Sequence, residues 1–280
     1  MGHSRRRIAI ALGPGGRLRP ATLIGWLVKA WRARGHEVAL LPGGRLDGDL
    51  GLLHIDTTRV PPSLIPDHPA SMRVLNLGAT DISKRRVSRR LVRREDDYAG
   101  PVIVKTDDNY FGLPAVPASL AHMAGLMVRR VATPRTWRWL RALPLRDYPI
   151  LAASRDVPVW VWTRHDLVVE RFMPETDGTL YVLRSWVFFG DREFSVKLFG
   201  RDPIVKTRHL VKHEPLSSVP DDLRRERERL GLDFGKIDYV VHDGVAVMLD
   251  ANKTPAVRAS KLTPNLLHLA EGLADFESGV

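Results

Sequence analysis

Three oxygen-bearing side chains stand close together late in the chain, in two apolar segments joined by an Asp-Gly pair. Asp238 lies in the first segment, and Asp250 and Asn252 lie at the end of the second. Because residues two apart on a strand point to one face, Asp250 and Asn252 share a face. A buried carboxylate is costly unless it is paired or binds a metal. Mg²⁺ prefers a few such oxygens together with waters and nucleotide phosphates, so the pattern predicts a magnesium site.

The two segments, Lys236–Val241 and Val245–Ala251, have the pattern of a β-hairpin. We expect a three-residue loop at 242–244 with Gly244 left-handed in a bulge, which would place Asp238 opposite Met248 and diagonal to Asp250. The alternative is a plain hairpin whose acids lie at solvated strand ends. The full set of three oxygen donors favours the metal site.

Two cations lie in apolar segments further upstream. Lys105 ends the strand-like run Pro101–Lys105 and precedes a polar loop at 106–112. A lysine held at a strand end can contact phosphate oxygens, although such a side chain can also extend into solvent. Arg184 lies within the apolar run Leu180–Phe189, where a charge is costly unless it has a partner.

In their order along the chain, these segments resemble the ATP-grasp superfamily, which includes D-alanine–D-alanine ligase and glutathione synthetase. The resemblance spans about residues 75–255 and implies that Asp238, Asp250 and Asn252 hold Mg²⁺. The superfamily usually has Glu as the second acid, and Asp250 is one methylene shorter. The resemblance also implies an ATP-grasp fold with an N-terminal α/β lobe, and ATP and Mg²⁺ as cofactors.

The same resemblance assigns the nucleotide-binding residues. Lys84 and Lys105 match the two lysines that contact the nucleotide, while the loop after Lys105 has a single glycine, Gly112, where the superfamily has several. The run 166–175 resembles the hinge strand whose backbone reads the adenine edge. The matching hinge residues are Glu170, Arg171, Phe172 and Met173.

Further acids and cations follow the hinge. Glu175 is the candidate for the ribose hydroxyls, with Asp177 as a rival. Arg184 matches a strand arginine that faces the phosphates or the substrate carboxylate, so Lys105 and Arg184 are the candidate catalytic residues. Four more cations could contact the transferred phosphoryl group, and the sequence does not choose among them: Lys197, Arg201, Lys206 and Arg208.

Strands and helices are predicted to alternate over residues 1–95, which indicates an α/β lobe with a mostly parallel sheet. The strands are predicted at 7–12, 37–41, 50–55 and 74–77, and the helices at 21–34 and 80–94. The remaining residues, 96–280, are predicted to form the ATP-grasp domain.

Strands dominate that second part, which reads as an α+β fold. They are predicted at 101–105, 157–163, 166–172, 180–189 and 193–199, before the hairpin, with helices at 220–230 and 262–275. Within this domain we expect a small subdomain at about 96–165 and a large one at about 166–280.

Composition narrows the classes of mechanism. The 280 residues include no cysteine, which excludes a thiol nucleophile, a thiolate metal site and a disulfide framework. No apolar run is long enough to span a bilayer and no signal peptide is apparent, so we expect a cytoplasmic chain that does not engage a membrane. The net charge of +11 is interpreted as arginines on solvated helix faces or as attraction of an anionic substrate, rather than as a nucleic-acid site.

The function implied by the resemblance is ligation, in which ATP phosphorylates a carboxylate and an amine attacks the acylphosphate. The substrate would be a small molecule or a peptide, with an anionic one favoured by the basic surface. A phosphotransferase of the same fold that acts on a hydroxyl is the first alternative. A basic, non-catalytic nucleic-acid-binding protein is the second. Neither the substrates nor the oligomeric state can be deduced from the sequence.

Overall fold

The computed structural model describes residues 5–18, 22–109, 120–145, 147–206, 209–257 and 259–276. The chain divides into two compact units, Met1–Asp81 with Thr176–Val280 (unit 1) and Ile82–Glu175 (unit 2). The predicted lobe at 1–95 and the predicted subdomains at 96–165 and 166–280 stay predictions. The two compact units are defined by which residues pack together, whereas the predicted domains are defined by their roles in the ATP-grasp fold.

Thirteen strands and seven α-helices are found among the described residues. The strands are β1 Arg7–Ala11, β2 Glu37–Leu41, β3 Leu50–Leu53, β4 Arg73–Leu75, β5 Val102–Thr106, β6 Ile150–Leu151, β7 Leu167–Arg171, β8 Glu175–Asp177, β9 Leu180–Phe189, β10 Arg192–Gly200, β11 Leu210–Leu216, β12 Phe234–His242 and β13 Val245–Asn252. The helices are α1 Leu23–Ala33, α2 Lys84–Val87, α3 Leu120–Val131, α4 Trp137–Leu140, α5 Val159–Trp162, α6 Asp221–Arg229 and α7 Pro264–Glu271. Short 3₁₀ turns occur at Pro62–Leu64, Ser154–Asp156 and Gly272–Phe276. None of these described helices has the length and apolarity needed to cross a membrane.

The first four strands of unit 1 form a parallel sheet in the order β2-β1-β3-β4. Strand β1 is central because its apolar run is buried on both faces, as the neighbouring residues Ile8 and Ala9 illustrate. Helix α1 begins after Thr22, whose side chain accepts a hydrogen bond from the Gly25 amide, and it ends before Gly35 at φ 87°. The parallel α/β arrangement predicted for the start of the chain is confirmed.

The second sheet of unit 1 is antiparallel in the order β11-β10-β9-β12-β13, and β8 also pairs with β9. Its long strands agree with the predicted ones within a few residues, whereas β8 and β11 were not predicted. Strand β11 is difficult to detect because most of its side chains are exposed and its sequence has no apolar alternation.

An aromatic core joins α1, α7 and one face of the antiparallel sheet in unit 1. The Phe189 ring lies at its centre, 5.2 Å from Trp31, 5.9 Å from Phe234 and 5.4 Å from Phe276. The indole of Trp31 donates to the carbonyl of Ala270 at 2.9 Å, which satisfies its buried N–H. This core fixes the end of β12 from which the acidic hairpin extends.

Unit 2 contains a three-stranded antiparallel sheet in the order β6-β5-β7. The buried side chains of β5 and β7 pack with Trp137, Leu143 and Val161 into a separate core. Strand β5 is buried along its whole length, so Lys105 near its end is shielded from solvent.

The strand predicted at 157–163 is wrong. Residues Val159–Trp162 form one turn of helix, preceded by Pro158 with extended backbone angles. Alternating Val and Trp residues resemble a half-buried strand, but Val161 is the buried residue of this turn. A four-residue apolar run bounded by proline has no periodicity long enough to separate the two structures.

The helix predicted at 80–94 is also too long, because α2 ends at Val87. The apolar side chains buried here are Ile82, Val87 and Val92, whose spacing of five does not match a helix face. Beyond α2 the chain runs beside β7, where the Val92 amide donates to the carbonyl of Val169 at 2.8 Å. Pairing with a distant strand therefore replaces the local helical preference.

Asn76 connects the end of β4 to the start of β12 within unit 1. It is buried in the left-handed conformation at φ 59°. Its Oδ1 accepts from the amides of Asp233 at 2.9 Å and Phe234 at 3.0 Å, and its Nδ2 donates to the Phe234 carbonyl at 2.9 Å. Asparagine suits this position because it tolerates positive φ and can satisfy three buried backbone groups.

We expect Asn76→Ala to lower the free energy of unfolding by about 3 kcal/mol, because buried amides lose their acceptor and alanine is strained at positive φ. Asn76→Gly is the matched control, since it removes the hydrogen bonds without the strain and should cost about 1 kcal/mol less. Urea denaturation of the full chain measures both. A loss below about 1 kcal/mol for Asn76→Ala would contradict this role.

Candidate active site

Strands β12 and β13 form a hairpin, but its loop has two residues instead of the three predicted. His242 pairs with Val245, which leaves Asp243 and Gly244 as the turn. Both have positive φ, 49° for Asp243 and 79° for Gly244, as a type I′ turn requires. The tight turn is favoured because the Asp-Gly pair tolerates left-handed angles that match the twist of the strands.

A β-bulge shifts the pairing of the two strands by one residue from the register that the tight turn sets. Tyr239 pairs with Met248, whereas Asp238 pairs with Asp250, so Leu249 is the extra residue of a bulge. The predicted pairing of Asp238 with Met248 is therefore wrong. Direct pairing brings the two carboxylates closer than the diagonal arrangement, and Asn252, two residues on, shares their face.

Lys236 and Ser185 contact the carboxylate of Asp238. The Lys236 Nζ donates to Asp238 Oδ2 at 2.7 Å, and the Ser185 Oγ donates to Asp238 Oδ1 at 2.5 Å. Burial acts to lower the pKa of Lys236, but Asp238 and Asp250 outweigh it and the pKa is raised. Lys236 is therefore a cation at neutral pH, placed on the same face as the two acids.

Lys236 was not among the predicted site residues, although the sequence contains a signal for it. Lys236 and Asp238 are two residues apart on a predicted strand, so the two side chains had to share a face. The same alternation places Arg184 away from the acids, because Arg184 pairs with Tyr239 while its neighbour Ser185 pairs with Asp238. Arg184 thus points to the opposite face of the sheet, and the structure does not bring it together with the three oxygen donors.

The end of β13 is tied to the parallel sheet of unit 1. The Asn252 Oδ1 accepts from the Thr254 amide at 2.9 Å, and the Thr254 hydroxyl donates to Asp56 Oδ1 at 2.7 Å. Lys253 is buried and donates to the carbonyl of Ala79 at 3.1 Å. These bonds fix the backbone of Asn252, so one of the proposed ligands is rigidly held.

Burial lowers the pKa of two titratable groups near the end of β13. It lowers the pKa of Lys253 to about 8, although the nearby Asp81 and Asp56 act to raise it. It also lowers the pKa of the His54 imidazole to about 4, with Asp56 opposing and Lys253 adding to the shift. His54 is therefore neutral at physiological pH.

The donor set on the hairpin consists of two carboxylates and one amide oxygen. Over the ranges that the structure covers, no cluster of three or more His, Asp or Glu side chains is arranged to hold a metal. The residues present still fit Mg²⁺, which needs one or two carboxylates when waters and phosphates supply the other ligands. The ammonium group of the neighbouring Lys236 would attract phosphate oxygens, whereas it would repel a metal ion held by protein side chains alone.

In unit 2, a buried ion cluster surrounds Glu170 on β7. The Lys105 Nζ lies 2.7 Å from Glu170 Oε2, and the Arg90 guanidinium lies 3.2 Å from the same oxygen. Arg90 also donates to the carbonyl of Arg171 at 2.9 Å. The pairing of Ile103 with Glu170 places Lys105, two residues further, on the same face as Glu170.

The charges in this cluster depend on each other. Burial would raise the pKa of Glu170, but Lys105 and Arg90 overcome it and hold the pKa at about 2. Burial lowers the pKa of Lys105, and the attraction of Glu170 opposes that shift. Glu170 is fully buried, so its carboxylate serves to hold the two cations.

The segment after Lys105 is fixed to the start of α2. Lys84 donates to the side chain of Asn109, and Asp107 Oδ1 accepts from the Arg85 amide at 2.9 Å. Lys84 thus lies beside the beginning of the predicted phosphate loop. Residues 110–112 of that loop, with Gly112, and also Arg208, lie outside the described residues.

The other hinge residues continue from β7. The guanidinium of Arg171 lies 4.9 Å from the centre of the Tyr98 ring, and the Phe172 amide donates to the carbonyl of Pro101 at 2.8 Å. Met173 is half-buried and Glu175 is buried.

The rival of Glu175, Asp177 in unit 1, forms an exposed ion pair with Lys197 at 2.8 Å. The roles of these residues toward a nucleotide stay predictions.

Replacing Glu170 with Gln should lower the free energy of unfolding by about 3–5 kcal/mol, because it leaves two buried cations without a counter-charge. Since the pKa of Glu170 is lowered, its stabilisation is complete above about pH 4.5 and declines as the pH falls toward about 2. Urea denaturation across this range should show the decline in the wild type, and Glu170→Gln should reduce it.

The matched control is Asp166→Asn, which breaks the exposed pair of Asp166 with Arg164 at 2.5 Å. Such surface pairs contribute about 0–1 kcal/mol. Equal costs for the two substitutions would show that the cluster around Glu170 is not a stabilising element.

No family model and no curated protein matches the sequence. Among solved structures, the macrocyclase MdnC bound with precursor peptide MdnA from Microcystis aeruginosa is similar at a TM-score of 0.53 and 11% identity, over 96% of this chain and 99% of that one. A RimK domain protein ATP-grasp from Sphaerobacter thermophilus gives 0.47 and 15%, over 96% and 98%. D-alanine–D-alanine ligase from Bacillus anthracis gives 0.40 and 12%, over 97% and 96%.

Identities this low concern the fold and not the activity. The similarity to the macrocyclase exceeds a TM-score of 0.5 and extends over nearly the whole length of both chains. The chain therefore has the ATP-grasp fold.

Proposed function

We propose that the chain binds ATP with Mg²⁺ and is a ligase that activates a carboxylate as an acylphosphate for attack by an amine. The observation that carries this proposal is the direct pairing of Asp238 with Asp250, with Asn252 on the same face. Two carboxylates placed opposite each other repel, so this arrangement is expected where a cation is held. The neighbouring Lys236 supports a ligand that itself carries negative charge.

Asp238, Asp250 and Asn252 would hold Mg²⁺, which when bound would neutralise charge on the phosphate oxygens. Lys236 would contact the same oxygens, since its ammonium lies on the face of the two acids and keeps its charge. Ser185 orients the Asp238 carboxylate through its 2.5 Å hydrogen bond. Arg184 has no place in this part of the proposal, because its strand position points to the other face.

The nucleotide roles assigned to unit 2 remain part of the proposal. Lys84 and Lys105 would contact phosphates, and the backbone of Glu170–Met173 would read the adenine edge, with Glu175 on the ribose. The Glu170 carboxylate supports this assignment because it holds Lys105 in a fixed position at the end of β5. Such preorganised cations stabilise charge in a transition state without reorganising.

In the proposed reaction a substrate carboxylate oxygen attacks the γ-phosphorus of ATP, and the bond to the bridging oxygen breaks to release ADP. The amine then attacks the carbonyl carbon of the acylphosphate, loses a proton, and expels inorganic phosphate. The residues of the chain orient the reactants and neutralise charge, and no covalent enzyme intermediate is needed. The substrates would be small molecules or peptides. A peptide is supported by the macrocyclase, whose structure contains a precursor peptide.

We expect Asp250→Asn to weaken Mg²⁺-dependent ATP binding by about 10-fold or more, because one charged ligand becomes neutral. Asp250→Glu should retain most of the binding, since glutamate keeps the charge and has a longer reach. Asp243→Asn is the matched control, because Asp243 lies in the exposed turn of the same hairpin. Titration calorimetry with and without Mg²⁺ measures these effects, and unchanged binding in Asp250→Asn would remove the basis of the proposal.

The reaction class is tested by incubating the chain with ATP, Mg²⁺ and a panel of carboxylates and amines. Ligation predicts ADP and free phosphate in equal amounts, and release that requires both a carboxylate and an amine. ADP with a stable phosphorylated product would instead indicate a kinase and contradict ligation.

A further inference from the structure

Helix α3 in unit 2 presents apolar side chains to solvent. From 123 to 131, the part of this helix whose side chains are described, no residue is buried. Met123, Met127 and Val131 are 50%, 59% and 66% exposed, and they follow one another at a spacing of four. Residues at this spacing lie on one line along a helix, and these three are called the α3 stripe below.

The exposed apolar side chains are concentrated in unit 2. Nine large hydrophobic residues are exposed in the described part of the chain. Six of them lie in unit 2, although this unit contains only about a third of the residues of the chain. Besides the α3 stripe they include Val128 and Trp139, which is 75% exposed. Contiguous apolar surface of this kind marks interaction sites, whereas isolated exposed residues need no explanation.

The sequence that contains the α3 stripe is strongly basic. Residues 120–145 contain five arginines and no Asp or Glu. The arginines are Arg129, Arg130, Arg135, Arg138 and Arg141. Across unit 2 there are 17 Lys and Arg against 10 Asp and Glu, which gives +7 of the chain's formal +11. A partner that covers the stripe would therefore need carboxylates around its own apolar residues.

We propose that the α3 stripe and the five arginines dock an acidic, amphipathic helix of a partner protein. An isolated helix of about 12 residues is marginally stable in water, so α3 gains from a second helix packed along its apolar line. The straight seam of the stripe fits the ridge of another helix. This inference does not depend on the proposed ligase activity.

Two other occupants fit the observations less well. A second copy of this chain, docked by the same surface, would bring five arginines against five others. A lipid surface selects a broad apolar helix face, whereas on α3, which has 12 residues, only Val128 widens the stripe. Both remain outcomes that the experiment distinguishes.

The probe is a labelled synthetic helix of about three heptads, with leucine along one seam and glutamate on both flanks. Fluorescence anisotropy should show saturable binding to the full chain, which weakens as salt is added. A peptide of the same composition in scrambled order should bind at least about 10-fold more weakly, because it has no apolar seam.

Met127→Asp should weaken binding of the probe by about 10-fold or more, since it places a carboxylate in the seam opposite leucine and glutamate. Arg130→Glu should weaken binding mainly at low salt. The matched control is Val211→Asp, which changes a side chain that is 49% exposed on β11 in unit 1 and should leave binding unchanged. Circular dichroism confirms that each variant is folded.

Several results would overturn the proposal. Equal binding of the scrambled peptide, or full binding by Met127→Asp, would show that charge alone attracts the probe. Co-sedimentation with phosphatidylcholine–phosphatidylglycerol vesicles that Met127→Asp abolishes, without binding of the probe, would assign the stripe to a membrane. A concentration-dependent dimer that Met127→Asp dissociates would assign it to a second copy. ATP binding is independent of all these outcomes.

Discussion

Two carboxylates face each other across neighbouring strands, and much of the surrounding structure compensates for their repulsion. Asp238 and Asp250 are paired because a bulge at Leu249 restores a register that the two-residue turn alone would not give. Lys236 neutralises part of the charge, and Ser185 holds one oxygen of Asp238. Like charges in direct opposition destabilise a sheet, which is why we propose that the arrangement is a preformed site for a cation.

The same principle governs unit 2, where the compensation is internal. Glu170 is fully buried and is kept charged by Lys105 and Arg90, which lowers its pKa to about 2. A buried ion cluster of this kind adds little net stability compared with apolar packing, but removing one member is costly. Its value lies in fixing the position of Lys105 at the end of β5. In both units, therefore, a charged group is held by a partner that does not itself need to contact a ligand: Ser185 holds Asp238, and the Glu170 carboxylate holds Lys105.

Features that depend on local periodicity could be predicted from the sequence, and features that depend on distant pairing could not. The parallel sheet and the acidic hairpin follow from apolar runs and turn residues, and the ATP-grasp resemblance rested on the order of such segments. The predicted three-residue loop was wrong because Asp243-Gly244 suits a tight two-residue turn. The bulge at Leu249 was not predicted because no local sequence signal indicates it. The helix predicted beyond Val87 was wrong because the residues there form hydrogen bonds with β7. The partnership of Arg90 with Glu170 was not found because it joins residues 80 apart.

We propose that the hairpin acids and Asn252 bind a divalent cation together with ATP. The most direct measurement is an anomalous difference map from crystals of the chain grown with Mn²⁺, as a substitute for Mg²⁺, and a non-hydrolysable ATP analogue. We expect a peak within coordination distance of both Asp238 and Asp250, with phosphate oxygens completing the shell. A bound nucleotide without a peak there, or with the metal held by other residues, would contradict it.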